Sequence, residues 1–265
     1  MKIVCLKGGL GNQMFEYCRF RDLMESGHDE VYLFYDHRRL KQHNGLRLSD
    51  CFELELPSCP WGVKLVVWGL KICRAVGVLK RLYDDEKPEA VLIDDYSQHR
   101  RFIPNARRYF FFRQFLAELQ SGFVQMIRAV DYPVSVHVRR GDYLHPSNSS
   151  FGLCGVDYFQ QAIAYVRKKR PDARFFFFSD DIEWVRENLW MEDAVYVEHT
   201  ELLPDYVDLY LMTLCRGHII SNSTFSFWGA YLAVDGNGMK IYPRRWFRDP
   251  TWTSPPIFSE EWVGL

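Results

Sequence analysis

Strand and helix patterns alternate so regularly through the second half of this chain that only one kind of sheet suits it. Apolar runs at 134–138, 174–178, 194–197, 218–220 and 240–242 read as strands. The run at 174–178 is nearly unbroken phenylalanine, as expected of a parallel strand buried on both faces. Residues 157–169 set Phe159, Ala162, Ile163 and Val166 on one helical stripe. Residues 181–189 and 225–234 supply two more helices. A further helix has Pro204 in its first turn and Gly217 just past its end. Alternation of this kind predicts a doubly wound parallel α/β sheet. The first half is less regular. Residues 3–6 form a strand, followed by a glycine turn and a helix through Glu25; 31–35 and 91–93 are further strands. The stretch 40–88 reads as helical or irregular, and 109–130 as a helical link between the halves.

Four polar segments follow apolar strands, and ligands of open α/β sheets bind beyond the carboxyl ends of strands. The first runs from Gly8 to Gln13 (Gly-Gly-Leu-Gly-Asn-Gln), with Gly11 allowing close backbone approach and Asn12 offering an amide at a helix start. Met14 stands where a dinucleotide fingerprint needs its third glycine, which excludes ordinary nicotinamide binding. The second, His137 to Tyr143, carries an imidazole, the guanidiniums of Arg139 and Arg140, and the carboxylate of Asp142. Guanidinium forks match diphosphate oxygens; the plainer reading is an arginine pair salt-bridged to Asp142. Third comes Ser179-Asp180-Asp181, where a carboxylate suits guanine N–H groups or ribose hydroxyls, and where Ser179 or Asp180 equally suits a helix cap. The fourth, Ser221-Asn222-Ser223-Thr224-Phe225-Ser226, gathers four hydroxyls at a helix start, more than a cap requires. Together the four favour a nucleotide-diphosphate ligand.

Composition narrows the classes. With 48% hydrophobic and 25% charged residues the chain is globular, and its net charge of −1 disfavours a nucleic-acid binder. Phosphate recognition must therefore be local. Seven cysteines, with no Cys-x-x-Cys pair, support neither a disulfide framework nor a zinc site and point to a reducing, cytoplasmic setting. No two aspartates stand two apart, so the Asp-x-Asp of metal-dependent sugar-nucleotide transferases is missing. P-loop and kinase signatures are missing as well. No stretch reaches a transmembrane length. The nearest, 61–83, is interrupted by Lys64, Lys71, Arg74, Lys80 and Arg81; it reads as a helix packed on its own domain, or else as a basic amphipathic helix on a membrane surface.

The segments GGLGNQMFEY (8–17), HVRRGDY (137–143), FFSDDIEW (177–184) and SNSTFSFWGAYL (221–232) resemble, in this order, the motifs of glycosyltransferase family 11, the α-1,2-fucosyltransferases, in its bacterial form. The resemblance implies a GT-B-like architecture, two Rossmann-like parallel-sheet domains facing a cleft. Here these would be residues 1–130, on the acceptor side, and 131–265, holding the donor. It implies inverting transfer of L-fucose from GDP-β-L-fucose to a galactose 2-hydroxyl, without a metal or other cofactor. In that reading Arg139 contacts the diphosphate and assists departure of GDP, while His137 and Arg140 organise the site. Asp180 binds guanosine, Ser221, Asn222, Ser223 and Thr224 contact phosphate or fucose, and Gly11 and Asn12 approach from the facing domain. Asp142 is the candidate base, with a structural ion pair to Arg140 as its alternative role. Phe227 stands where many relatives carry tryptophan, close to the sugar.

Two other functions remain open at this stage. One is a fucosyltransferase of different linkage, α-1,6 or protein O-linked; the other is a silent sugar-nucleotide binder. The acceptor is a β-galactoside glycan, free or lipid-linked, and a lipid-linked acceptor would place the enzyme peripherally on the inner membrane face. Oligomeric state is not legible.

Overall fold

The computed structural model describes all residues except 42–43, 85–86, 120–121, 146–149 and 199–203, together with the side chain of residue 142. Backbone contacts divide the chain into two compact units, Met1–Arg113 and Gln114–Leu265.

In the N-terminal unit β1 (Lys2–Leu6) leads through a glycine turn into α1 (Leu10–Glu25), and β2 (Val31–Tyr35) follows. Short helices α2 (His37–Leu40) and α3 (Leu48–Cys51) precede α4 (Trp61–Ala75) and β3 (Leu92–Ile93). The sheet order is β2-β1-β3, all parallel. Val63, Val67 and Leu70 of α4 pack against Ile3, Cys5, Phe34 and Leu92. Of the segment 61–83, then, Trp61–Ala75 is the α-helix that packs on its own unit, through one face only; the helix stops at Ala75 and residues 80–82 form a separate 3-10 turn.

The C-terminal unit begins with α5 (Gln114–Ala117) and α6 (Gly122–Arg128). Strand β4 (Tyr132–Val138) and helix α7 (Val156–Lys169) are followed by β5 (Ala173–Ser179), α8 (Ile182–Asn188) and β6 (Val195–Tyr196). Then come α9 (Tyr206–Thr213), β7 (Gly217–Ile219), α10 (Thr224–Tyr231), β8 (Lys240–Tyr242) and β9 (Val263–Gly264). The six strands are parallel in the order β6-β5-β4-β7-β8-β9. Phe175 to Phe178 are all fully buried, so both faces of β5 are covered as the run of four rings required. Each such ring contributes about 1.5–3 kcal/mol by leaving water.

Two expectations need correction, and one strand was not expected. The helical link across 109–130 is not continuous: Glu53 N–H donates to Phe111 O at 2.8 Å and Arg113 N–H to Cys51 O at 3.0 Å, holding 111–113 extended beside 51–53. The helix expected over 225–234 stops at Tyr231, and the Val234 N–H turns to Thr213 O at 2.9 Å. Strand β9 is too short to show a sequence pattern. It is fixed by the Leu265 N–H on Tyr242 O at 3.1 Å and the Arg244 N–H on Leu265 O at 2.8 Å.

Candidate active site

Alternation along β4 sorts its side chains by chemistry. Val134, Val136 and Val138 join Phe159, Ala162 and Val166 of α7 in one core. Ser135 and His137 point the other way and make two serine–histidine pairs with the neighbouring chain segment. Ser135 Oγ lies 2.8 Å from His218 Nδ1, and His137 Nδ1 lies 3.0 Å from Ser221 Oγ. Both rings are buried, and burial pushes each pKa down to about 3; Arg139 adds to the effect at His137 and Lys240 at His218. His137 is thus a neutral brace between the ends of β4 and β7, packed 5.8 Å from the Phe225 ring.

Past the end of β4 the two arginines take different partners. Arg139 Nη1 lies 3.0 Å from Asp180 Oδ2, with the Arg139 side chain one-third exposed. Arg140 sits 3.8 Å over the Trp184 ring, and its Nε donates to Asp181 Oδ2 at 3.1 Å. Asp180 Oδ1 also accepts the Arg140 N–H at 2.9 Å. A Cβ on Gly141 would stand 2.8 Å from Asp180 Oδ2, so glycine is what lets this loop lie against that carboxylate. The second and third sequence segments therefore form one unit: the arginine pair is countered by Asp180 and Asp181. Neither Ser179 nor Asp180 caps α8. Asp181 does so, through the Trp184 N–H at 3.3 Å, while Ser179 Oγ donates to Val138 O and receives the Asp181 N–H. Residue Asp142 opens a 3-10 turn, and its side chain lies outside the described residues.

The fourth segment is built around a helix start. Ser223 is the N-cap residue of α10 in extended geometry, with no side-chain cap bond, and Thr224 is the first helical residue. The N-terminal N–H groups of such a helix favour an anion. Asn222 serves another purpose. Its Nδ2 donates to Gly152 O at 2.6 Å and Trp246 O at 2.8 Å, and the residue is fully buried. Its Oδ1 accepts from Cys154 Sγ at 3.5 Å, and donation from Nδ2 to a phosphate would cost one of the two Nδ2 bonds, so the side chain acts as a brace. Phe227 likewise belongs to the core: fully buried, it stacks on Trp262 and Tyr231 at centroid distances of 5.3 and 5.6 Å, so its packing is with protein.

Two bonds tie the arginine loop to this turn. One is His137 with Ser221; the other is the Tyr143 hydroxyl donating to Asn222 O at 3.0 Å. Arg139 lies between them in the chain.

Gly11 and Asn12 belong to the N-terminal unit, in the first turn of α1 at the carboxyl end of β1. Gly8 has φ +69°, and a Cβ there would meet Asn12 Nδ2 at 2.7 Å. Asn12 Oδ1 accepts from Gln98 Nε2 at 2.9 Å. The glycine loop itself is fixed by residues the sequence reading passed over. Fully buried Gln13 donates to Gly8 O and Gly45 O and accepts the Arg47 N–H, at 3.0, 2.9 and 3.1 Å. Glu16, also fully buried, accepts the Lys7 N–H at 2.8 Å, and burial raises its pKa well above the usual carboxylate range. Polar residues on the otherwise buried start of α1 were the available signal. For Trp184 and Tyr143 there was none, because aromatic residues are common throughout this chain.

Comparison with known proteins identifies the family. The model of "Glycosyl transferase family 11" matches residues 105–265. The chain is 25% identical to the O-antigen biosynthesis glycosyltransferase WbnK of Escherichia coli, over 98% of this chain and 99% of that one. It is 28% identical to an Escherichia coli alpha-1,2-colitosyltransferase, over 98% and 97%. Among solved structures it shares the GT-B-like fold of NodZ alpha-1,6-fucosyltransferase, known from Bradyrhizobium, at TM-score 0.53 and 14% identity, over 87% of this chain and 91% of that one. The NodZ crystal was soaked with GDP-fucose. Carrying the arginine loop, the serine-rich helix start and the matched segment together, this chain belongs to glycosyl transferase family 11 and is a glycosyltransferase.

Proposed function

We propose that the enzyme transfers L-fucose from GDP-β-L-fucose to the 2-hydroxyl of a galactose-containing glycan, forming an α-1,2 linkage with inversion and without a metal. The reading is carried by the hydrogen-bonded junction of the Arg139 loop with the 221–224 turn. That junction ties the chain segment carrying Arg139 to the turn that opens α10, and a guanidinium and a helix N-terminus are both groups that stabilise negative charge on a departing GDP.

An ion pair as exposed as Arg139–Asp180 is worth at most about 1 kcal/mol. Charge-assisted hydrogen bonds to phosphate are worth about 1.5–3 kcal/mol each. Exchange of Asp180 for a diphosphate oxygen is therefore favourable, and it frees Asp180 for guanosine. Ser223 would offer the anion its hydroxyl, its N–H being held by Ser221 O at 2.8 Å, beside the N-terminus of α10. As the C–O bond to the anomeric carbon breaks, the electron pair goes to the diphosphate, and the acceptor hydroxyl attacks the opposite face. Asp142 is the candidate to receive its proton.

The test is GDP release with GDP-fucose over a panel of β-galactosides, with and without a chelator, followed by linkage analysis of the product. Turnover that yields only an α-1,6 or protein-linked product overturns the linkage. Binding of GDP-fucose without GDP release on any acceptor overturns the catalytic reading. A second donor belongs in the same assay, because the 28% identical relative is an alpha-1,2-colitosyltransferase. GDP-colitose turning over faster than GDP-fucose would reassign the sugar and leave the rest intact.

A further inference from the structure

Helix α4 has two apolar faces, of which one is covered. Val63, Val67 and Leu70 face the N-terminal core. Trp61, Leu65, Trp68 and Ile72 recur at the spacing of a second helical stripe and are 64, 50, 49 and 66% exposed. The turn beyond the helix extends the patch, with Val76, Val78 and Leu79 at 67, 49 and 50%. Single exposed apolar residues are ordinary; a contiguous stripe capped by two tryptophans marks a contact surface.

Charge indicates what covers it. From residue 56 to residue 83 the chain holds no carboxylate, yet carries Lys64, Lys71, Arg74, Lys80 and Arg81, although the whole chain has a net charge of −1. Asp94 draws in Lys71 at 3.7 Å and Arg74 at 3.4 Å. Lys64 stands at the border between the two faces, and Lys80 and Arg81 are exposed beyond the turn. A second copy of this chain would bring the same cations onto the same face, an unfavourable meeting of like charges. An anionic bilayer instead offers apolar depth for the stripe, an interface suited to indole rings, and phosphates for the rim.

We propose that α4 and the turn after it dock the enzyme on an anionic phospholipid surface, with Trp61, Leu65, Trp68 and Ile72 in the headgroup–acyl boundary and Lys64, Lys80 and Arg81 reaching lipid phosphates. This goes beyond the donor reading and stands on surface residues alone. The full-length protein is floated with vesicles of phosphatidylcholine, or of phosphatidylcholine mixed with phosphatidylglycerol, across a range of salt. The expected result is co-flotation with the mixed vesicles, weakened by salt. The double variant Trp68→Ser, Ile72→Ser should reduce partitioning by about tenfold or more. The triple variant Lys64→Gln, Lys80→Gln, Arg81→Gln should remove the preference for anionic lipid. Circular dichroism and melting temperature, unchanged in both variants, show that the fold is kept. Absence of flotation by the wild type overturns the proposal, as does equal flotation of the double variant. Self-association abolished by that variant, with no vesicle binding, assigns the face to a second copy and also overturns it.

Discussion

The guanidinium of Arg139 keeps a third of its surface in solvent and faces a carboxylate it can exchange, while Arg140 is held between Asp181 and the Trp184 ring. The two neighbours should therefore respond differently to truncation. Arg139→Ala is expected to lower kcat for GDP release about 10²–10³-fold with an unchanged melting curve, and Arg139→Lys to restore only part of it, lacking the fork. Arg140→Ala is expected to act on the fold first, costing about 1–2 kcal/mol in denaturant unfolding through the lost ring contact and ion pair. Equal kcat losses with equal stability in both variants would contradict this division. The buried histidines give a pH signature. His137 and His218 are neutral when folded, with pKa values depressed to about 3, but protonate near 6.5 once unfolded. Below pH 6.5 the unfolded state binds the extra protons, so stability falls as pH drops toward 3, by about 1.4 kcal/mol per unit for each ring. Denaturant unfolding between pH 7 and pH 5 should show this slope, and His218→Gln should remove one histidine's share of it. An unchanged slope in that variant would show that its ring is already protonated in the native state.

At the scale of elements, the loop between β4 and α7 is shaped by a contact that only glycine permits. Gly141→Ala drives a methyl toward Asp180 Oδ2 and displaces the partner of Arg139. Its expected effect is weaker GDP-fucose binding, read by calorimetry, with a smaller change in melting temperature. Phe227→Ala should do the reverse, destabilising the fold by about 3–5 kcal/mol while molecules that remain folded keep their donor affinity. The contrast explains what was legible in advance. Strands β4, β5 and β8 and helix α7 were readable because hydrophobic period is local: alternating valines in β4, a phenylalanine run in β5, a stripe in α7. The pairing of Arg139 with Asp180 is set by strand order, and residues about forty apart in sequence meet because β4 and β5 are neighbours. Asn222 lay beyond reach for a similar reason. Its amide ends on the carbonyls of Gly152 and Trp246, two loops with no pattern of their own.

For the molecule as a whole, the C-terminal unit was legible as a parallel α/β sheet, and the N-terminal unit only at its start. Residues 40–88 were opaque because α4 is apolar on two faces, so its periodicity names no single buried side. Among the described residues no helix is long and apolar enough to cross a membrane. The reaction as proposed relies on Arg139 and the start of α10 for charge stabilisation, so rates of GDP release should be the same in chelator as in added magnesium. A rate that collapses in chelator and returns with the metal would reverse that expectation. The arginine–aspartate contact at the end of β4 has one more consequence. On the proposed reading, orthophosphate and a nucleoside diphosphate must both displace Asp180 from Arg139, and only the nucleotide would give the released carboxylate a base to hold. That difference would favour the nucleotide over the cell's abundant small anions before any sugar is recognised.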